Sequence, residues 1–239
     1  MKKAIVIGAS SGIGYALAER LIQEGYRVAI TGRRLDRLEA LRLQCPHQIM
    51  TRRMDVQDLE SLEPACEGLL EELGGLDLLV ISAGIGIPNR RLESTKELDG
   101  IQTNVQGFTC IADWSMRCFK EQGHGHLVNI SSIASLRGNG IAPSYNATKA
   151  YQANYLEGLR MHADQTGLPI HVTDIRPGFV DTDMTKGQQM FWVASPGKAA
   201  AQIYKAILRK QHIAYVTRRW ALIAWLMKWM PYRIFRKFG

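Results

Sequence analysis

The chain has 239 residues, 46% of them hydrophobic, which is long and apolar enough for one α/β domain with a sizeable core and excludes a disordered chain. Thirty Lys and Arg stand against twenty-two Asp and Glu, but the excess is local: no acidic residue follows Asp183, whereas eleven basic ones do. The apolar run after Met1-Lys2-Lys3 is too short for a signal peptide, and neither the four cysteines (Cys45, Cys66, Cys110, Cys118) nor the six histidines have metal-ligand spacing. The expectation is a cytoplasmic protein with reduced thiols and no metal site.

Residues 4–7 form a continuous apolar, β-branched run that suits a buried parallel strand. Gly8-Ala9-Ser10-Ser11-Gly12-Ile13-Gly14 follows and leads into a helix over 15–24 ended by Gly25. Strand, glycine turn and helix together form a dinucleotide-binding context, in which a pyrophosphate approaches free N–H groups at a helix N-terminus. The second strand, 27–31, ends at Gly32-Arg33-Arg34. An acidic residue there would accept from a ribose hydroxyl; Arg33 suits a 2′-phosphate, so NADP(H) is expected rather than NAD(H). A helix over 35–43, a strand over 48–54, an amphipathic helix over 59–73 and a strand over 76–81 come next. Residues 94–122 are long enough for one extended helix, kinked near Gly107, and a fifth strand, 126–130, ends at Ser131-Ser132. The helix over 143–165 carries Tyr145 and Lys149, four residues apart and so one turn apart on one face. A lysine ammonium there should favour the phenolate and lower the tyrosine pKa. With Ser132, the pair suits proton transfer to or from a carbonyl oxygen while a cofactor moves hydride. A sixth strand over 170–176, a loop over 183–193, a helix over 199–209 and a short strand over 212–216 complete the pattern, without repeats or low-complexity linkers.

The order and spacing of these motifs resemble the short-chain dehydrogenase/reductase family, in its single-domain branch of about 250 residues, over residues 1–216. The resemblance implies a Rossmann-type doubly wound α/β fold with a seven-stranded parallel sheet in the order 3-2-1-4-5-6-7. It implies Tyr145 as general acid in reduction and Lys149 as the residue that lowers its pKa and holds the nicotinamide ribose. Ser132 would hydrogen-bond the substrate oxygen, and Asn104 would support a water-mediated proton relay to the lysine. Gly8, Ser10, Ser11, Gly12, Ile13 and Gly14 would cradle the pyrophosphate, with Arg33 at the adenosine ribose and Asp55 and Val56 at the adenine. Ser82, Ala83 and Gly84 would line the cofactor, and Pro177, Gly178, Val180 and Thr182 would lie under the nicotinamide. Two positions depart from the family: Ile7 stands where a threonine is usual, and Ser82 where an asparagine is usual. The family also implies a homodimer or homotetramer built through the helices over 94–122 and 143–165. The alternatives are an NAD-preferring alcohol dehydrogenase and a non-catalytic dinucleotide-binding sensor, against which the complete Ser132, Tyr145 and Lys149 set argues.

Two stretches bear on the substrate. Met190, Phe191 and Trp192 suit either an apolar pocket or ordinary lid packing, and residues 218–230 (RRWALIAWLMKWM) hold three of the five tryptophans. As a helix that segment would be about 20 Å long, short of the ~30 Å hydrocarbon core. The tail, 217–239, reads as a helix packed on the domain or a sister subunit, or as an interfacial anchor with tryptophans at headgroup depth and cations on anionic lipid. Its cations are interrupted by long apolar stretches, a poor fit to nucleic acid. The expected substrate is a carbonyl or secondary alcohol, tilted toward apolar or lipid-like compounds.

Overall fold

Along β1 (Lys3–Ile7), alternate side chains bury on opposite faces of the sheet. Ala4 and Val6 join a core built with α1 (Gly12–Gln23), α2 (Leu35–Arg42) and α7 (Pro196–Leu208). Ile5 and Ile7 join a second core built with α3 (Leu59–Leu73), α5 (Phe108–Gln122) and α6 (Pro143–Thr166). A strand covered on both faces has no polar side to display, which is why the central strands read as unbroken apolar runs. The computed structural model, which describes residues 1–185 and 191–237, thus has three layers, helices on either side of one sheet.

The other strands are β2 (Arg27–Gly32), β3 (Ile49–Arg53), β4 (Leu78–Ile81), β5 (Gly125–Ile130), β6 (Ile170–Pro177) and β7 (Ile213–Val216). All pair in parallel in the order β3-β2-β1-β4-β5-β6-β7, the order that the family resemblance implies. In β1, Val6 lies between Ile30 of β2 and Val80 of β4, so the middle of the sheet is aliphatic throughout. The order reverses between β1 and β4, and the crevice that this leaves at the carboxyl ends of the strands is the natural ligand site of such a sheet.

Three local features differ from the sequence reading. α1 begins at Gly12, with Ser11 as its extended N-cap, so the glycine loop itself supplies the first helical turn. α7 begins at Pro196, because Ser195 caps it by accepting from the Lys198 N–H at 3.3 Å and proline suits a first helical position. The helix expected over 94–122 is continuous but changes winding: α4 (Ser94–Ile101) passes through a π-helical turn (Gln102–Gly107) into α5. Past β7, α8 (Trp220–Trp229) and α9 (Tyr232–Phe235) return across the carboxyl ends of the strands.

Candidate active site

A cavity of about 1050 Å³ opens at the carboxyl ends of the central strands, walled by Ile7, Gly32, Ile130 and Pro177 where β1, β2, β5 and β6 end. Its volume exceeds that of an ordinary small-molecule pocket and leaves room for a dinucleotide beside a second ligand. The glycine loop forms one end. Gly8 has φ +88°, and a Cβ at Gly14 would collide with the Gly8 carbonyl, so the loop folds back on itself as only glycines allow. Gly8, Ser10, Ser11, Gly12 and Ile13 face the cavity, with Gly14 beneath them. Thr182 lies over the loop, close to Gly12.

The end of β2 carries the cationic wall. Arg33 is exposed and Arg34 half-buried, and both line the cavity. Arg34, which the sequence reading passed over, is the better placed of the two. Its guanidinium donates to Ser10 Oγ at 3.0 and 3.2 Å and to Ser11 Oγ at 2.6 Å, tying the β2 terminus to the glycine loop. The Arg33-Arg34 dipeptide was the available signal; only the fold shows which side chain turns inward. Asp183 approaches Arg34 at 3.7 Å and Arg37 at 3.5 Å from the loop after β6. Asp55 and Val56 line the same end, and the Asp55 carboxylate accepts from the Gln57 N–H at 3.1 Å instead of capping α3.

The opposite end holds the polar set. Ser82, Ala83 and Gly84 leave β4 along the cavity wall, and Gly178 and Val180 follow Pro177 out of β6. Ser132 caps a short 3₁₀ turn (Ile133–Leu136), accepting from the Ala134 N–H at 3.1 Å, and is hydrogen-bonded to Tyr145. Ser131 is buried, and its hydroxyl bonds to the Asp174 carboxylate and donates to the Ile175 carbonyl at 3.0 Å. The Lys149 Nζ lies 5.9 Å from the Tyr145 ring centre and donates to the Ile130 carbonyl at 3.1 Å. Burial lowers the Lys149 pKa to about 8, with the Asp174 carboxylate opposing the shift. The net lowering of the tyrosine pKa that the sequence suggests does not result. Burial raises the Tyr145 phenol, and the opposing influence is the hydrogen bond to Ser132. The phenol is thus held in its protonated form, as a proton donor must be.

Asn104 does not face the cavity. Fully buried in the π turn, it clamps the main chain of Ile85, accepting from its N–H at 2.9 Å and donating to its carbonyl at 2.8 Å, and donates to Thr148 Oγ1 at 3.0 Å. What connects Asn104 to the lysine is Gln152, a residue the sequence reading missed. It is fully buried on α6; its Oε1 accepts from Lys149 Nζ at 3.0 Å and from Asn129 Nδ2 at 3.2 Å, and its Nε2 donates to the Asn104 carbonyl at 2.8 Å. The only signal was an amide three residues past Lys149, on the face that α6 buries. The last wall of the cavity comes from the tail: Trp220, Ile223, Leu226, Met227, Met230 and Phe235, with Phe191 beside them. Trp192 meets Trp220 edge-on, ring centres 6.2 Å apart, and Met190 lies outside the described residues.

These residues fit a nicotinamide dinucleotide: glycines where a side chain would obstruct, two arginines and two serines at one end, and a proton donor backed by a buried cation at the other. Residues 2–190 match the family model described as short chain dehydrogenase. The chain is 32% identical over 249 residues to an uncharacterized oxidoreductase of Mycobacterium tuberculosis, covering 100% of this chain and 97% of that protein, tail included. The closed form of a serine dehydrogenase complexed with NADP+ is 26% identical, with a TM-score of 0.81 over 89% of this chain and 93% of that one. A 3-ketoacyl-(acyl-carrier-protein) reductase from Brucella melitensis complexed with NADH shares the fold, with 22% identity and a TM-score of 0.82 over 91% and 98% of the two chains. A nucleotide cavity at the switch point, a Ser, Tyr and Lys set at its inner end and these matches lead to one assignment: the chain belongs to the short-chain dehydrogenase/reductase family and is an oxidoreductase.

Proposed function

We propose that the enzyme interconverts an apolar ketone or aldehyde and its alcohol with NADP(H). When bound, the cofactor supplies or accepts the hydride; the chain's own residues position it and handle the proton. The main-chain N–H groups of the glycine loop would hold the pyrophosphate. Arg33 and Arg34, with Ser10 and Ser11, would surround a 2′-phosphate, whose charge a guanidinium fork matches. In reduction, the carbonyl oxygen accepts hydrogen bonds from Tyr145 Oη and Ser132 Oγ. As the carbonyl carbon takes the hydride, the Tyr145 proton passes to that oxygen and leaves a phenolate facing the Lys149 ammonium. Lys149, fixed by the Ile130 carbonyl and Gln152, thus stabilises the charge where it develops.

The observation that carries this reading is the convergence of Ser132, Tyr145 and Lys149 on one wall of a cavity whose far end bears Arg33 and Arg34. The apolar preference rests on the tail, which encloses the Tyr145 end with tryptophan, methionine and phenylalanine side chains. Assembly as a homodimer or homotetramer through α5 and α6 belongs to the same reading; it is supported by exposed Cys110, Tyr151 and Met161 along them and is checked by sedimentation equilibrium.

Fluorescence titration with NADPH and NADH tests the cofactor assignment. The wild type is expected to bind NADPH at least about tenfold more tightly, equivalent to ~1.4 kcal/mol, and Arg33→Ala with Arg34→Ala to erase that margin. Equal affinities in the wild type would turn the assignment toward NAD(H). Tyr145→Phe should still bind NADPH while losing about a hundredfold or more in turnover; normal turnover would remove Tyr145 as the proton donor.

A further inference from the structure

The tail has a second face that the reaction does not use. Trp220 and Ala224 are buried against the domain and Ile223 and Met227 line the cavity, yet Leu222 and Trp225 are each 60% exposed, and Trp229 and Tyr232 each 71%. Around these rings stand Arg218, Arg219, Lys228, Arg233, Arg236 and Lys237, all exposed, with no acidic residue anywhere from 218 to 237. None of these cations enters a salt bridge among the described residues; Arg219 lies over the Trp192 ring, 4.9 Å from its centre.

We infer that this face seats the enzyme on an anionic lipid surface, with Trp225 and Trp229 at headgroup depth and the surrounding cations on lipid phosphates. Charge decides between the possible occupants. A second copy docked by two-fold symmetry through the same patch would set six cations against six, with no anion between them. An acidic protein would satisfy the cations but not the exposed indole and leucine side chains at the centre, whereas the surface of an anionic bilayer offers both chemistries at once. The ten residues of α8 are about 15 Å long, and no helix among the described residues is long and apolar enough to cross a membrane. The contact therefore lies in the interface plane.

The placement has a consequence for the reaction. Leu226 lines the cavity and is also 42% exposed, so the inner wall of the site and the lipid-facing surface are two sides of one helix. An apolar carbonyl dissolved in the bilayer would reach Tyr145 along α8 without crossing water. This step rests on the apolar-substrate reading; the docking itself does not.

Co-sedimentation with vesicles tests it, using phosphatidylcholine alone and an equal mixture with phosphatidylglycerol, at about 0.05 M and about 0.5 M salt. The intact enzyme is expected to bind the mixed vesicles at low salt, with a blue shift of tryptophan emission, and to bind about tenfold more weakly at high salt or on phosphatidylcholine alone. Trp225→Ser with Trp229→Ser should cut binding at least about tenfold while NADPH titrates as in the wild type, and Arg233→Glu with Arg236→Glu should abolish the preference for the anionic mixture. Wild type that stays in the supernatant at low salt overturns the proposal. So does tryptophan-substituted protein that binds like wild type, which would mean general adhesion of a basic protein. A wild-type dimer that those substitutions dissociate, without vesicle binding, would assign the face to a sister copy. NADPH binding is read in the same samples, so loss of the cofactor reading and loss of the docking face are separate results.

Discussion

At the scale of single residues, the site turns on how a buried cation is kept in place. Lys149 is 3% exposed, and burial alone would drive it toward the neutral form. Gln152 offers its proton a neutral acceptor and is itself fixed by Asn129 and by the Asn104 carbonyl. With Lys149 titrating at about 8, the cation behind Tyr145 is lost as pH rises through that value, so the alkaline limb of ketone reduction should begin near pH 8. Gln152→Glu would put a carboxylate where the neutral acceptor stands. That favours the charged lysine and moves the limb up by about one pH unit or more, while partly neutralising the field at Tyr145 and lowering kcat at pH 7. Gln152→Leu removes the acceptor and moves the limb down. The pH dependence of kcat/KM for an apolar aryl ketone separates these outcomes from mere loss of stability, which would lower rates without moving the limb. Profiles that overlay for all three proteins would leave Gln152 a packing residue. No sequence period reveals this role, because its partners come from β5 and the π turn as well as from α6.

At the scale of elements, the tail is attached to the domain differently from the rest of the chain. α8 enters neither of the two large cores; Trp220 and Ala224 form a small cluster of their own with Ile133, next to Phe179 and Met227. The Trp220 ring lies so close across Gly178 that a Cβ there would overlap it, and it meets Phe179 edge-on at 5.2 Å. Arg137 adds hydrogen bonds to the carbonyls of Met227 and Met230 at 2.9 and 2.8 Å. Truncating a buried tryptophan costs about 3–5 kcal/mol where the loss is felt by the whole fold. Here the cluster is a satellite, so Trp220→Ala should release α8 before it unfolds the sheet. The expected result is faster amide exchange over 220–230, a several-fold rise in KM for an apolar ketone and NADPH affinity within about twofold of wild type. Uniform loss of exchange protection across β1, β4 and β5 would show instead that α8 is integral to the domain. The sequence marked this helix by its composition, but a segment apolar almost all round carries no moment that says which face turns inward. The cavity wall it builds was therefore beyond the sequence reading.

At the scale of the whole molecule, the buried strands and the glycine loop were legible because each rests on local chemistry, whereas the order of the strands came with the family resemblance. Runs such as Ile5–Val6–Ile7 and Leu127–Val128 have to be buried on both sides, and glycine alone tolerates the turn at Gly8. What escaped was the set of contacts made by polar side chains across elements: Arg34 on Ser10 and Ser11, Gln152 on Asn104, and the hydrogen bond between Ser132 and the Tyr145 phenol. A side chain's type limits what it can bond, but only the fold decides which partner arrives.

The same principle, applied to the sheet interior, predicts sensitivity to acid. His126 on β5 is 7% exposed, and its Nε2–H donates to Thr173 Oγ1 at 2.8 Å, since the Thr173 hydroxyl proton is itself given to the Gln211 carbonyl at 2.6 Å. Burial lowers its pKa to about 3, and the neighbouring His171 and Lys210 act in the same direction. His171, edge-on at 5.8 Å, is also lowered, by burial first and then by Lys210 and His212. The folded state therefore binds fewer protons than the unfolded chain below the ordinary histidine value of 6.5, and stability falls as pH drops from 6.5 toward 3. At pH 4.5, two units below the unfolded pKa, His126 alone accounts for a loss of about 3 kcal/mol. His126→Phe keeps an aromatic edge against His171 and leaves the Thr173 hydroxyl proton satisfied by Gln211, so the variant can fold without the titrating group. Denaturant unfolding at pH 7.5 and 4.5 should show a drop about 2–3 kcal/mol smaller in the variant than in the wild type. Equal drops in the two proteins would place the acid sensitivity elsewhere, with the carboxylates of the surface ion pairs as the next groups to remove.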